Sequence, residues 1–435
     1  MYLIPRSFRT TTISVITSIV ALASLSACDN LLEVEAPGRI VADSLRVPAN
    51  ARLMVEGARA AFGCALQAYV NGAALLTDEM EDRELVAGAW PWDRRDWTGA
   101  LGEIYAEGAC TALQNFGVYR PLQTARFAAE DAAATISGFT DAEVTGRGAL
   151  IAEAHLLLGY SRVLLGEGFC VAAENLGPRL NPADFFNKAD ESFTQAMAGG
   201  GTAGQAPIVN AARVGRARAR LGLARLPGQA VDVAKYDQAK ADAQTVPPGF
   251  VYAIPYNVAS VYSQNTIVQR NRVSLYYGVA PAYRNLGDPR IQVTNSGLLG
   301  NDRLATIWTA DKYSSLSSPI SLARYVEAQL IIAEAELAAG HTSAAIDMLN
   351  VLRGRPGVGL PSYSGATDAA AIQAFLLSER SKELFLEGQH FWDINRFRLP
   401  LDPAPGALFS KGGTYADLRC MPLPDIERLN NPNID

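Results

Sequence analysis

Three tryptophans fall close together in Trp90-Pro91-Trp92-Asp93-Arg94-Arg95-Asp96-Trp97. The C–H faces of a sugar stack on aromatic rings, while flanking carboxylate and guanidinium groups can fix its hydroxyls. Trp90, Trp92, Asp93, Arg94, Asp96 and Trp97 are therefore candidate ligand contacts. An aromatic peptide groove would use the same parts, and a packed interlayer loop or a partner interface is the structural alternative. Tyr276, Tyr277, Tyr283 and Trp308, in the loop-rich stretch, are further candidates. A second cluster offers different chemistry. In a helix predicted over 371–387, Glu379 and Glu383 share a face with Ile372, Phe375 and Leu376. Two carboxylates are the equipment of a glycosidase. Carboxylates on an apolar face must be paired if buried, however. Arg380, Lys382 and Arg396 are the nearby cations, so Glu379, Arg380, Glu383 and Arg396 read as a structural ion network. Phe391 and Trp392 then pack on the core, and His390 is a structural hydrogen-bonding group.

Cys28 is the third reactive group. Arg6 and Arg9 precede an uncharged stretch from Thr10 to Ala27, which ends in Leu25-Ser26-Ala27-Cys28. A positive start, an apolar middle and small residues before a break mark an export signal. Leu-Ser-Ala-Cys resembles the bacterial lipobox, in which cleavage precedes a Cys whose thiol is acylated. Each buried methylene of such chains contributes about 0.8 kcal/mol to anchoring. The expectation is a signal peptide over 1–27, with Cys28 the lipidated (palmitate-bearing) residue of the mature protein. No other segment is read as a membrane span. Cys64, Cys110, Cys170 and Cys420 allow two disulfides in three pairings, or free buried thiols.

The 435 residues are 49% hydrophobic and 19% charged, with a net charge of -6. The chain is long and apolar enough to bury a large core, which excludes a disordered protein. The absence of a basic stripe argues against nucleic acid and against adhesion to lipid through charge. His155, His341 and His390 form no ligand cluster, and there is no phosphate loop or nucleophile elbow. No metal, cofactor or catalytic residue is expected.

Most of the chain has helical periodicity. Helices are predicted over 51–76, 98–116, 122–135, 141–169, 183–198, 208–226, 232–244, 321–339, 343–353 and 371–387. The segment 141–169 is apolar nearly all round and should be central. Gly199-Gly200-Gly201 and Pro227-Gly228 read as turns. Pairs such as 183–198 with 208–226, and 321–339 with 343–353, resemble tetratricopeptide units that must stack to bury their faces. Between 247 and 319, Pro, Gly, Asn, Ser and Tyr increase and only short strands are expected. The fold class is mainly α: tetratricopeptide-like helical pairs with a loop-rich second layer containing a few short strands. The organisation is signal 1–27, lipidated tether 28–50 and one domain over 51–435. In that domain the scaffold covers about 51–76, 98–245 and 320–396; the loop layer covers about 77–97, 246–319 and 397–435.

Three pieces carry a family resemblance. They are the lipobox followed by Asp29-Asn30-Leu31-Leu32-Glu33-Val34; Leu286-Gly287-Asp288-Pro289-Arg290-Ile291 with the helix from Ser321 to Ala335 downstream; and Glu379-Arg380-Ser381-Lys382-Glu383 running on to Phe391-Trp392-Asp393-Ile394-Asn395-Arg396. Their order and spacing resemble the SusD/RagB family of outer-membrane nutrient-binding lipoproteins. The resemblance implies a SusD-like α superhelix, lipid-anchored at the outer membrane and facing the cell surface. It implies no catalysis, a SusC-like TonB-dependent channel as partner, and a glycan or peptide as cargo. The sequence departs from the family in the small residues and arginines of Ala211–Arg225 and in lacking an acidic run after Cys28.

Overall fold

The apolar period over 51–76 produces one helix with those bounds, α1 (Ala51–Leu76), in the computed structural model, which describes residues 46–86, 88–97, 104–108 and 117–434. The leader 1–27, Cys28, nearly all of the tether, Cys110 and most of the helix expected over 98–116 lie outside the described residues. After α1 come β1 (Met80–Asp82) and the single turn α2 (Trp90–Asp93). The scaffold continues with α3 (Tyr119–Ser137), α4 (Arg147–Gly168), α5 (Pro182–Thr202), α6 (Ala206–Ala224) and α7 (Val233–Ala243). The loop-rich stretch holds β2 (Val251–Ile254), the one-turn α8 (Thr266–Val268), β3 (Tyr277–Val279), β4 (Val293–Leu299), β5 (Thr306–Ala310) and β6 (Ile320–Arg324). The chain ends with α9 (Tyr325–Ala338), α10 (Thr342–Gly354), α11 (Ala369–Glu383), α12 (Gln389–Phe397) and α13 (Asp425–Asn430). The fold is mainly helical. From α3 to α7 each helix packs on the one before it, and α9 continues the stack from α7. The strands make three separate antiparallel pairs, β1 with β3, β2 with β6 and β4 with β5. Pro48–Asp435 forms one compact unit.

Local chemistry explains several boundaries. Asn181 caps α5 by accepting from the Ala183 and Asp184 amides, while Asp184 accepts from the Asn181 amide, a reciprocal capping box. Asp232 and Asp368 cap α7 and α11 in the simpler way. By length and hydropathy α4 could cross a membrane, contrary to the sequence expectation, but 78% of its apolar window is buried within the protein. It is the central helix that its all-round apolar character predicts.

Two elements differ from expectation. Gly199-Gly200-Gly201 lies inside α5, not in a turn. A side chain at Gly200 would press on Val209 at 3.1 Å, so tertiary packing outweighs the weak helix propensity of glycine. The helix expected from 321 begins instead as β6, because Ile320–Arg324 pairs with Val251–Ile254 before α9 starts. The helix expected to reach 387 stops at Glu383; Leu386 and Gly388 then take left-handed backbones. Gly388 is needed there, since a side chain would meet the Tyr69 ring at 3.0 Å.

The small residues of α6 serve a layered contact. Phe193 of α5 is wedged between Gly159 of α4 and Gly215 of α6. One layer along, Phe186 is wedged between Gly166 and Gly222. Each partner recurs after seven residues, two helical turns. The alternating arginines fit the same helix. Arg216 and Arg220 both bind Asp242, while Arg218 is buried and holds Glu327 through two bonds of 2.6 and 2.8 Å.

Cys170 and Cys420 form a disulfide across 250 residues, tying the end of α4 to the C-terminal segment. Cys64 is disulfide-bonded too. Met421 and Gly168 bond through their backbones beside the bridge.

The Gly–Phe–Gly layers make a signed prediction. Gly215→Ala should lower unfolding stability by about 1–2 kcal/mol, because overpacking of about 1–3 kcal/mol exceeds the gain in helix propensity. Gly201→Ala meets nothing within 4 Å and should be neutral or raise stability by up to about 1 kcal/mol. Urea unfolding of both variants checks this, and a shift of the same sign in the two would contradict the layer.

Candidate functional site

The turn after α1 brings the tryptophan-rich stretch onto the loop layer. Pro91 sits in the first turn of α2, where its missing N–H is harmless, and the Arg94 and Arg95 amides close the turn on Trp90 and Trp92 carbonyls. Trp92 is wholly buried and fills the space left by Gly72 of α1. It meets Trp97 edge-on at 5.3 Å, and Trp97 lies 4.4 Å from the Tyr105 ring. Asp93 is buried as well, accepting from the Asp82 amide at 2.7 Å. Burial pushes its carboxyl up to about 7. Trp92 and Asp93, expected as ligand contacts, thus face inward: packing against α1 uses the ring, and β1 uses the carboxylate.

Trp90, Arg94, Asp96 and Trp97 stay partly exposed. The Trp90 ring packs edge-on against Phe409 at 6.3 Å, and the Lys411 ammonium lies 5.9 Å from it. Arg94 lies over Phe409 at 5.9 Å and pairs with Asp96 at 3.5 Å. The indole nitrogens of Trp90 and Trp97 and Nε of Arg94 are buried without a hydrogen-bond partner among the described residues. Arg95 has another role. It is fully buried, donates to the Asp402, Pro403 and Ala416 carbonyls, and so fastens the C-terminal segment.

A charged floor underlies this surface, and the sequence reading missed it. Lys411 donates to the Asp82 carboxylate and to the Glu84 carbonyl at 2.8 Å, with Asp302 at 3.3 Å. Glu84 pairs with Arg270 at 2.6 Å, and Glu81 pairs with Arg284. Burial pushes Asp82 up to about 6, against the pull of Lys411, and Glu84 up to about 7, against Arg270. Lys411 lies more than 300 residues from Asp82 and Glu84, and no local spacing marks it.

The later aromatic candidates divide in the same way. Tyr283 is buried, stacked on Phe385 at 4.7 Å, and offers no free ring face. Trp308 sits half-buried on β5 opposite Asn295 of β4, with the Arg284 guanidinium 5.5 Å from its ring. Arg284 also binds Glu81, which ties Trp308 to β1.

The ion network is present, with different pairings. Glu379 and Glu383 share Nη1 of Arg290 at 2.6 and 2.9 Å. Arg353 completes Glu379 at 2.6 Å, and Arg355 completes Glu383 at 2.6 and 2.7 Å. Arg380 instead binds Asp393 at 2.8 Å, and Arg396 binds both Glu334 and Asp393. Burial alone would raise the Asp393 carboxyl, but Arg380 and Arg396 hold it down to about 2. The two glutamates are shut from solvent and held by three arginines, so the glycosidase alternative has no accessible acid there. Phe391 and Trp392 are buried, and Trp392 meets Phe186 edge-on at 5.3 Å. His390 donates from Nε2 to the Asp78 carboxylate at 2.7 Å, joining α12 to the loop after α1. Among the described residues no group of His, Cys, Asp and Glu is arranged to hold a metal ion.

Comparison with known proteins places these features. The SusD family model matches residues 294–420, which include β5, the Glu379–Arg396 segment and Lys411. A SusD superfamily protein from Bacteroides vulgatus shares the fold with a TM-score of 0.66 at 15% identity, over 89% of this chain and 98% of that one. A SusD superfamily protein from Parabacteroides distasonis gives 0.63 at 14% identity, over 91% and 99%. A SusD-like carbohydrate binding protein from Bacteroides vulgatus gives 0.62 at 14% identity, over 89% and 97%. No curated protein matches the chain. The family match and the shared fold bear out the resemblance to SusD/RagB proteins.

The His390–Asp78 pair predicts a pH dependence. Burial would lower the imidazolium, but the bond and charge of Asp78, with Glu79 nearby, raise it to about 9. An unfolded chain releases that proton near 6.5, so the contribution to stability is complete below pH about 6.5 and gone above about 9. Urea midpoints should fall over that window, and His390→Gln should flatten the fall. An equally steep decline in the variant would assign it to other groups.

Proposed function

We propose that this protein binds a nutrient at the outer membrane, without catalysis, and passes it to a SusC-like TonB-dependent channel. The observation that carries the reading is the SusD family match lying on a SusD-like superhelix. Lipidation at Cys28 after removal of residues 1–27 would hold the folded body at the membrane, facing the cell surface. The cargo is an oligosaccharide. Trp90, Trp97 and Trp308 are half-buried, Arg94 and Asp96 lie beside the first two in sequence, and Lys411 and Arg284 lie against the Trp90 and Trp308 rings. Rigid rings among fixed polar groups suit sugar stacking. The SusD-like carbohydrate binding protein from Bacteroides vulgatus shares the fold and supports this choice over a peptide.

The channel would meet an apolar edge of the same layer. Leu85, Val86, Leu298, Leu299 and Leu304 are exposed there, and the Leu85 amide bonds Asn301 at the β4–β5 turn. Exposed apolar residues held together in this way mark interaction surfaces.

Glycan arrays and peptide pools test the cargo. Binding to a glycan should weaken at least tenfold in Trp308→Ala and Trp90→Ala with unfolding midpoints retained; exclusive capture of peptides would overturn the sugar reading. Membrane extracts should yield the protein with a large β-barrel, and mass analysis should find acylated Cys28. An isolated protein with an unmodified thiol would remove the transport role.

A further inference from the structure

A cleft of about 420 Å³ opens at the base of the β4–β5 hairpin. Gln292, just before β4, and Asp311, just after β5, bond through their backbones at its rim. Arg290, Lys312, Arg324, Arg355 and Lys382 line it, against only two carboxylates, Asp311 and Glu383. The acids behind it do not restore balance. Glu387 is shared by Lys312 at 2.7 Å and Arg324 at 2.8 Å. Glu383 is shared by Arg290 and Arg355, and Asp288 and Glu379 also bind Arg290. Asp311 is held by Arg272, and Glu379 also by Arg353. The ion-paired set, with Lys382, holds seven cations and five carboxylates, and adding buried Glu79, whose charge acts on Lys312, still leaves the cations one ahead.

Two cations stand out. Lys382 makes no ion pair among the described residues, its ammonium bonding Ser378 Oγ at 2.8 Å. Arg324 has its Nε buried without a hydrogen-bond partner. Burial lowers the Lys312 ammonium; Glu387 opposes that, and the like charge of Arg324 adds to it. Excess positive charge in a chain of net charge -6 is locally concentrated and would be relieved by an anion. Guanidinium groups match a planar or tetrahedral oxyanion through paired N–H donors.

We propose that this cleft binds the oxyanion, carboxylate or sulfate ester, of an acidic saccharide. Trp308 stands four residues before Lys312, so the two are at most about 14 Å apart along the chain. A short oligosaccharide on the tryptophan surface can therefore set a charged group in the cleft. That the anion belongs to a nutrient rests on the binding role proposed above; that an anion binds rests on the cleft alone.

Calorimetry on the mature protein tests it with three probes: trigalacturonate, its neutral methyl ester and galactose 6-sulfate. At least one acidic probe should bind ten times more tightly than the ester, and more weakly as salt rises. Preference between galacturonate and sulfate identifies the group. Lys382→Gln, which breaks no ion pair, should weaken acidic binding at least threefold with the unfolding midpoint unchanged, and adding Arg355→Gln should weaken it further. No binding of either acidic probe, equal affinity for acid and ester, or acidic binding untouched by both substitutions overturns the anion site. Acidic binding through Lys382 in a protein that associates with no barrel keeps the site and removes the transport role.

Discussion

A carboxylate that stays ionised when buried needs a cation or strong donors, and in this protein one set of such cations joins the two layers. Glu379, Glu383, Glu387 and Asp393 all lie on one short stretch that ends the helical scaffold. Arg290, Lys312 and Arg324 reach them from the loop-rich layer, while Arg353 and Arg355 reach them from the end of α10. Removing one member of such a pair would leave a charge in a low-dielectric interior, a penalty of about 3–5 kcal/mol. Loops with little regular structure are thereby fixed to a rigid helical stack. The same stretch also reaches back to the loop after α1, through His390 to Asp78 and through the Leu386 amide to Glu79.

That arrangement separates stability from recognition. The helical stack buries its faces by close approach of glycine and phenylalanine, which leaves little freedom for change. The loop layer depends on three two-stranded sheets too small to be stable alone. Its ion pairs therefore do the anchoring that a larger sheet would otherwise provide. A surface braced in this way can carry partly exposed rings without collapsing onto them.

The helical fold was legible because its signal is local. Apolar periodicity marked α1 at its true bounds and α4 as central, since a face that must be buried repeats every turn. The errors arose where a distant partner decided the outcome. Gly199-Gly200-Gly201 is helical because α5 packs closely on its neighbours there, with Gly200 against Val209 of α6. Ser321 belongs to a strand because β2, seventy residues earlier, pairs with it. The ion network shows the same limit more sharply. Helical spacing correctly set Glu379 and Glu383 on one face, yet Arg380, the nearest cation in sequence, points about 100° away from Glu379 around the helix and binds Asp393. The true partner, Arg290, stands 89 residues before Glu379.

The tryptophan stretch shows why residue type alone overstates a binding platform. Aromatic side chains bury the most area of any residue, so a dense run of them serves packing before it serves recognition. Trp92 fits against a glycine of α1, and Asp93 is taken by a backbone amide; only their neighbours remain for a ligand. Exposure, however, is not the whole requirement. Trp90, Arg94 and Trp97 each keep a buried donor without a partner among the described residues, and such donors are destabilising by about 1–3 kcal/mol apiece unless something satisfies them. Those atoms have no exposed area, so a molecule laid on the surface does not reach them unless the stretch moves. Residue type marks the stretch, but packing against α1 and β1 decides which of its side chains stay near the surface.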